Sequence, residues 1–141
     1  MLDAVFSASS ATTTDVDAQS VLIVDDDLDI LEALAELLEC EGYRVTTVTD
    51  GRAALSHLRG GLRPCVILLD LMMPGMNGWD FRNEQLNDAE LKDIPVVIVT
   101  AATVTEAALK AQLGDISLLS KPPLDDELIS IVRRHCGEPL H

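Results

Sequence analysis

The chain has 141 residues, of which 48% are hydrophobic, and this is the size and composition of one ordinary globular domain. Its Lys and Arg residues number 10 and its Asp and Glu residues 24, which gives a formal net charge of −14 with no basic cluster. Such a charge repels nucleic-acid phosphates and anionic lipids, so direct binding to either is disfavoured.

The first predicted segment is a tail. Residues 1–20 are rich in Ala, Ser, Thr and Asp, which is typical of a mobile terminus, although scattered apolar residues leave open a partner-binding amphipathic start. Residues 21–24 then form a continuous apolar run, which predicts a strand buried on both faces. A helix with a stripe of Ile and Leu residues follows, with Asp27 as its N-cap and Gly42 as its stop.

The rest of the chain repeats this alternation of a short apolar run and a helical segment. Four further strands are predicted at residues 44–48, 66–69, 96–99 and 117–119. The intervening helices are predicted at residues 52–58, 79–86, 105–112 and 125–135. The pattern predicts one α/β domain with a doubly wound parallel sheet, over residues 21–135, followed by a short tail at residues 136–141 and no second domain.

Polar residues follow four of the predicted strands. In a parallel sheet with right-handed crossovers every strand points the same way, so the residues that follow the strands meet at one edge, where ligands bind. The polar residues that this rule brings together are Asp25, Asp26, Asp70, Thr100 and Lys121.

These groups have the chemistry of phosphoryl transfer. Three neighbouring carboxylates repel one another unless a cation lies among them, and Mg²⁺ prefers oxygen ligands. Asp70 is a candidate nucleophile, while Thr100 and Lys121 supply a hydroxyl and an ammonium donor for phosphoryl oxygens.

In its motifs the sequence resembles a response regulator receiver domain of two-component systems from about residue 21 to residue 135. The matching pieces are VLIVDDD at 21–27, VILLDLMMPGMNGWD at 66–80, IPVVIVTA at 94–101 and LLSKP at 118–122. The strand that ends at Asp70 with the following Met-Met-Pro-Gly-Met-Asn-Gly loop is the most specific of them. The resemblance implies a flavodoxin-like (βα)5 fold with strand order 2-1-3-4-5, which is also the order of the chemotaxis member of this family.

The resemblance also implies a role for each site residue. Asp70 would be the phosphoacceptor, and Asp25, Asp26, Asp70 and the backbone carbonyl of Met72 would hold Mg²⁺ or Mn²⁺. Thr100 would be the switch hydroxyl. Lys121 would contact a phosphoryl oxygen and be oriented by a cis peptide bond to Pro122.

As a receiver, the protein would be a phosphoprotein in a phosphorelay, and a signalling switch rather than an enzyme. Its expected partners are a sensor histidine kinase or a histidine phosphotransfer protein and a downstream protein target. We expect a cytoplasmic monomer or weak dimer that binds neither nucleic acid nor membrane.

The sequence departs from the family at the switch position. Family members usually carry Tyr or Phe three residues before the lysine, whereas this chain has Leu118. A leucine cannot make the usual coupled movement with Thr100, so output is expected to use another surface, or the face of helix 4, strand 5 and helix 5 through a different motion. Met72 and Ala102, at two positions that tune phosphoryl lifetime in the family, offer no polar side chain to position water.

Three alternatives remain open. A haloacid dehalogenase-like phosphatase would use Asp25 and Asp27, but Leu28 stands where those enzymes usually have Gly-Thr, and Asp70 is left unexplained. A receiver-like scaffold would bind partners without phosphorylation, which Leu118 favours and the complete acidic set opposes. Flavodoxin-like cofactor binding lacks a phosphate loop after the first strand.

Cysteine and histidine patterns predict no further site. Cys40, Cys65 and Cys136 are odd in number and widely spaced, which predicts neither a disulfide framework nor a zinc site, and a reduced setting is expected. The three histidines have no partners at metal-ligand spacing and are expected at the surface. Apolar runs fall short of the roughly 18 residues of a membrane span.

Overall fold

A computed structural model describes residues 19–139, so the prediction of a mobile tail lies mostly outside the described residues. Five strands are present: β1 (Ser20–Val24), β2 (Arg44–Val48), β3 (Val66–Leu69), β4 (Val96–Thr100) and β5 (Ile116–Ser120). They alternate with five helices: α1 (Leu28–Cys40), α2 (Gly51–Arg59), α3 (Gly78–Leu86), α4 (Glu106–Leu113) and α5 (Asp125–Cys136).

All five strands are parallel and lie in the order β2-β1-β3-β4-β5. This confirms the predicted doubly wound sheet with order 2-1-3-4-5. The central strands β1, β3 and β4 are buried at every residue, because helices cover both faces of the sheet. Their continuous apolar sequences therefore fit the environment that the fold gives them.

Two apolar layers hold the helices on the sheet. On one face α2, α3 and α4 pack against alternate strand residues such as Leu22 and Ile67, and on the other α1 and α5 pack against neighbours such as Ile23 and Leu68. Residues that alternate along a strand point to opposite faces. Each strand therefore contributes to both layers, which fixes its register.

Local capping explains where several helices begin. The Asp27 carboxylate accepts hydrogen bonds from the backbone N–H groups of Asp29 and Ile30, which confirms the predicted N-cap of α1. Thr105 was predicted as the first residue of its helix but is the N-cap of α4, since its Oγ1 accepts from Ala108 N–H at 3.1 Å. Most other predicted bounds differ from the observed ones by one residue.

The cysteine prediction is wrong. Cys65, one residue before β3, and Cys136, the last residue of α5, form a disulfide with their Cα atoms 5.2 Å apart. The two cysteines are 71 residues apart, and their contact depends on how α5 packs against β3. The sequence pattern alone therefore could not predict this pairing. The prediction for His135 is also only partly right: this side chain is half-buried, and burial lowers its pKa below the usual value.

Candidate functional site

Backbone hydrogen bonds bring the ends of the strands together at one edge of the sheet. Asp70 N–H donates to Val24 O at 3.0 Å, which continues the ladder between β3 and β1 and sets Asp70 beside Asp25. Lys121 N–H donates to Thr100 O at 3.0 Å, so the residue after β5 lies next to the last residue of β4. The predicted site residues therefore converge as expected for parallel strands.

Three carboxylates form a compact cluster at this edge. Oxygen atoms of Asp25, Asp26 and Asp70 all lie within 4.8 Å of one another. Asp25 and Asp70 are buried, with 2% and 4% of their surface exposed, whereas Asp26 is exposed. Hard oxygen donors at this separation suit a divalent cation such as Mg²⁺, with the exposed Asp26 side open to the waters that Mg²⁺ retains.

The ammonium group of Lys121 reaches into the cluster. Its Nζ lies 2.6 Å from Asp25 Oδ2 and 3.1 Å from Asp70 Oδ2. Burial by itself would lower the pKa of Lys121, but the hydrogen bonds to these two carboxylates outweigh burial and raise the pKa. The lysine is therefore charged, and the peptide bond to Pro122 is cis, as the resemblance implies.

Asp25 is the carboxylate that burial affects most clearly. Burial raises its pKa above the usual value, although hydrogen bonds from Lys121 Nζ and from Asp27 N–H act in the opposite direction. Keeping Asp25 ionised in the folded protein therefore costs free energy. A divalent cation among these oxygens would reduce that cost, which is an argument that the residues fit the metal.

In metal-free protein we expect Asp25→Asn to raise the free energy of unfolding at pH 7. The raised pKa means that the folded state binds this proton more tightly than the unfolded state, so ionisation of Asp25 lowers stability as pH rises through the folded pKa. The gain should shrink as pH falls through the folded pKa, because wild-type Asp25 then becomes protonated as well. Urea unfolding at pH 7 and at successively lower pH checks this, with exposed Asp93→Asn as control; a less stable Asp25→Asn protein at pH 7 would contradict it.

Thr100 and Met72 flank the cluster. Thr100 is buried, and its Oγ1 accepts a hydrogen bond from Ala102 N–H at 3.2 Å, so the hydroxyl holds the loop after β4. Met72 N–H donates to Asp70 Oδ1 at 3.3 Å, while its side chain is 61% exposed. The loop after β3 therefore stays against Asp70, and the role of the Met72 carbonyl as a metal ligand remains a prediction.

Leu118, at the switch position, is half-buried and packs against the layer formed by α2, α3 and α4. Its backbone N–H donates to Glu106 Oε1 at 3.0 Å, so the first residue of α4 is bonded to the edge strand β5. Sequence reasoning missed Glu106, because a glutamate in the first turn of a helix is usually explained by the helix dipole alone.

Comparison with known proteins identifies the relatives of this arrangement. The family model described as "Response regulator receiver domain" matches residues 21–133. The chain is 39% identical over 116 residues to the "DNA-binding response regulator MtrA" of Mycobacterium tuberculosis, which covers 82% of this chain and 49% of that protein. The chain thus spans about half the length of the curated relatives it matches.

Two solved structures share the fold. The chemotaxis protein CheY4 of Vibrio cholerae is 31% identical, with a TM-score of 0.74 over 82% of this chain and 97% of that one. The receiver domain of sensor histidine kinase PA1611 from Pseudomonas aeruginosa is 28% identical, with a TM-score of 0.75 over 84% and 98%. The latter structure has a magnesium ion coordinated in its active site cleft.

Proposed function

The chain belongs to the response regulator receiver domain family of two-component systems, and from this premise we propose that it accepts a phosphoryl group on Asp70. The observation that carries the proposal is the arrangement around Asp70. This buried carboxylate lies at the carboxyl end of β3, beside two further carboxylates and an ammonium group. Few structural roles would require such a costly cluster of like charges.

The chemistry follows from the groups present. A carboxylate oxygen of Asp70 attacks the phosphorus atom of a phosphohistidine, the P–N bond breaks, and the imidazole nitrogen leaves with the bonding electron pair and takes up a proton from solvent. Lys121 Nζ, now shared by two carboxylates, donates to one phosphoryl oxygen. The Thr100 hydroxyl leaves Ala102 N–H and donates to another, which moves the loop after β4.

Asp25, Asp26 and Asp70 would hold the divalent metal, together with the carbonyl of Met72. When bound, Mg²⁺ or Mn²⁺ would neutralise negative charge on the carboxylates and the phosphoryl oxygens. The protein contributes the position of these oxygens, since Asp25 and Asp70 are fixed by the backbone bonds at the ends of β1 and β3. The domain is thus a switch whose own chemistry is limited to taking up and losing one phosphoryl group.

Exposed apolar residues support docking of a protein partner at the same edge. Leu28 at the start of α1, Met72 after β3 and Leu124 before α5 are 68%, 61% and 68% exposed. A histidine kinase or histidine phosphotransfer protein would place its phosphohistidine above Asp70 by covering them. Phosphorylation would then change contacts with a downstream protein.

The charge of the domain bears on what it can bind. The net charge of −14 argues against direct contact of this domain with nucleic acid or anionic membrane. Among residues 19–139, every helix is too short or too polar to cross a bilayer. We propose that this domain acts in the cytoplasm as a monomer or weak dimer.

Acetyl phosphate with Mg²⁺ provides the direct test. We expect the intact mass of the wild-type protein to rise by one phosphoryl group, and we expect no rise for Asp70→Asn, since the amide lacks a nucleophilic oxygen. Asp93→Asn, which changes an exposed carboxylate away from the strand ends, should be modified like the wild type.

Each other outcome has a definite meaning. A wild-type protein that binds neither Mg²⁺ nor phosphoryl would support the scaffold alternative. A phosphoryl group that remains on Asp70→Asn would assign the acceptor to another residue. Rapid hydrolysis of varied phosphoesters would support the phosphatase alternative.

A further inference from the structure

The disulfide between Cys65 and Cys136 lies at the amino end of the sheet, away from the carboxylate cluster. Cys65 immediately precedes β3, whereas Asp70 immediately follows it. Four strand residues therefore separate the disulfide from the site, a distance of roughly 16 Å along β3. The bond joins the C-terminal end of α5 to the central strand of the sheet.

Hydrogen bonds besides the disulfide also hold the backbone around both cysteines. Cys65 N–H donates to Ser20 O at 2.8 Å, and Gln19 Nε2 donates to Cys136 O at 3.0 Å. The Tyr43 hydroxyl donates to Gly137 O at 2.7 Å, so the end of α5 is held on both sides of Cys136. The Cα separation of 5.2 Å lies within the range that disulfides require. Closing the bond thus needs no rearrangement of the backbone.

The same position also accommodates the reduced pair. Cys65 Sγ lies 3.0 Å from Ser20 O, so a thiol at Cys65 has a hydrogen-bond acceptor in place. Cys136 is buried among the apolar residues between α5 and the sheet, which is an ordinary environment for a free thiol. Both oxidation states are therefore compatible with the same fold.

We propose that Cys65 and Cys136 form a reversible thiol–disulfide exchange site that clamps the C-terminal end of α5 to the start of β3. The oxidant would be a small-molecule disulfide such as oxidised glutathione. This site is separate from the phosphoryl chemistry proposed for Asp70 and does not depend on it. In the cytoplasm the pair would be reduced under ordinary conditions and would close when the oxidised disulfide accumulates.

The exchange takes place in two steps. The Cys65 thiolate attacks one sulfur of oxidised glutathione, forming a mixed disulfide and releasing one glutathione thiolate. The Cys136 thiolate then attacks the Cys65 sulfur, forming the protein disulfide and releasing the second glutathione. The two protein thiols lose two electrons and two protons, and these reduce one oxidised glutathione to two glutathione molecules. Cys65 reacts first because it is half-buried, whereas Cys136 is buried.

The clamp is expected to stabilise the domain without changing its phosphoryl chemistry. The bond encloses a segment that contains Asp70, Thr100 and Lys121, so it restricts much of the unfolded chain. The native positions of those residues are set by the carboxyl ends of the strands, at the edge of the sheet opposite the disulfide. Oxidation should therefore raise Tm by about 10 °C and leave phosphoryl uptake unchanged.

The test uses the full chain, incubated with dithiothreitol or with oxidised glutathione and then unfolded in the presence of N-ethylmaleimide. Reduced protein should carry three labels, whereas oxidised protein should carry none on Cys65 and Cys136 and either one label or one glutathione on the exposed Cys40. Tm should differ between the two treatments in wild type and in Cys40→Ser, but not in Cys65→Ser or Cys136→Ser. Dithiothreitol added to folded oxidised protein should restore three labels.

Three results would overturn the proposal. They are labels on both Cys65 and Cys136 after treatment with oxidised glutathione, glutathione that remains on either of these cysteines, and a Tm difference that persists in Cys65→Ser. Phosphoryl uptake from acetyl phosphate is measured on the same samples. A protein that fails to take up phosphoryl but shows the expected labels would contradict the proposed function and leave the thiol site standing.

Discussion

Gly78→Ala should lower the free energy of unfolding by about 3 kcal/mol and strongly slow phosphoryl uptake. A Cβ atom at residue 78 would lie 2.5 Å from Asp70 O and 2.8 Å from Leu71 Cα, and both of these are backbone atoms. Gly78 N–H also donates to Leu71 O at 3.0 Å, so the first turn of α3 rests directly on the segment that carries the phosphoacceptor. The clash can be relieved only by moving α3 away or by moving Asp70.

Gly75 provides the matched control. It lies in the loop just before α3 with a φ of +73°, and a Cβ atom there would meet nothing within 4 Å. Gly75→Ala should therefore cost only the strain of a left-handed residue, about 1 kcal/mol, with phosphoryl uptake close to wild type. Urea unfolding gives the stabilities, and intact mass against time with acetyl phosphate gives the rates. Equal losses of uptake in the two variants would show that loop conformation, rather than close approach of α3, matters at Asp70.

Gly75 and Gly78 show a limit of prediction from the sequence. Only the packed structure distinguishes a glycine needed for its φ from one needed because a side chain would not fit. Strands were predicted more securely: β3 has the predicted bounds, because burial on both faces demands a continuous apolar run. From the strand ends, the convergence of Asp25, Asp70 and Lys121 followed from topology alone.

Contacts between residues that are far apart in the sequence could not be predicted from the sequence pattern. Glu106 bonds to Leu118 N–H because α4 lies over an edge strand whose backbone groups are free on one side. The disulfide depends in the same way on the packing of one helix. Part of α3 also runs against ordinary burial preferences, since Arg82 and Gln85 are buried and Leu86 is 38% exposed. Charged and amide side chains are rarely buried, so no sequence rule would assign those positions to the interior.

The buried pair of Arg82 and Gln85 gives the second prediction with a large expected effect. Arg82→Met should lower the free energy of unfolding by about 3 kcal/mol, because it removes the donors of a buried network. Arg82 Nε donates to Leu113 O at 2.9 Å and Arg82 Nη2 donates to Asp115 O at 3.2 Å, so the guanidinium holds the turn between α4 and β5. Arg82 Nη1 donates to Gln85 Oε1 at 2.8 Å.

Gln85 extends the network to the loop before β4. Its Nε2 donates to Leu91 O and to Ile94 O, each at 2.9 Å, and this orientation is set by the bond that Arg82 makes to Oε1. Loss of the guanidinium therefore leaves Leu113 O and Asp115 O without this donor, and it removes the bond that orients Gln85 toward the loop before β4. Burial lowers the pKa of Arg82, which reflects a desolvation cost that methionine would remove, so the expected loss is smaller than the sum of the bonds.

Arg59 supplies the comparison that separates a buried network from a surface ion pair. It lies 3.3 Å from Glu84 Oε1 and 3.6 Å from Asp88 Oδ2, with half of its side chain exposed. Arg59→Met should thus change stability by less than about 0.5 kcal/mol. Urea unfolding followed by circular dichroism measures both variants. A loss in Arg82→Met no larger than in Arg59→Met would mean that water replaces the guanidinium, and that the two connections are held by the backbone alone.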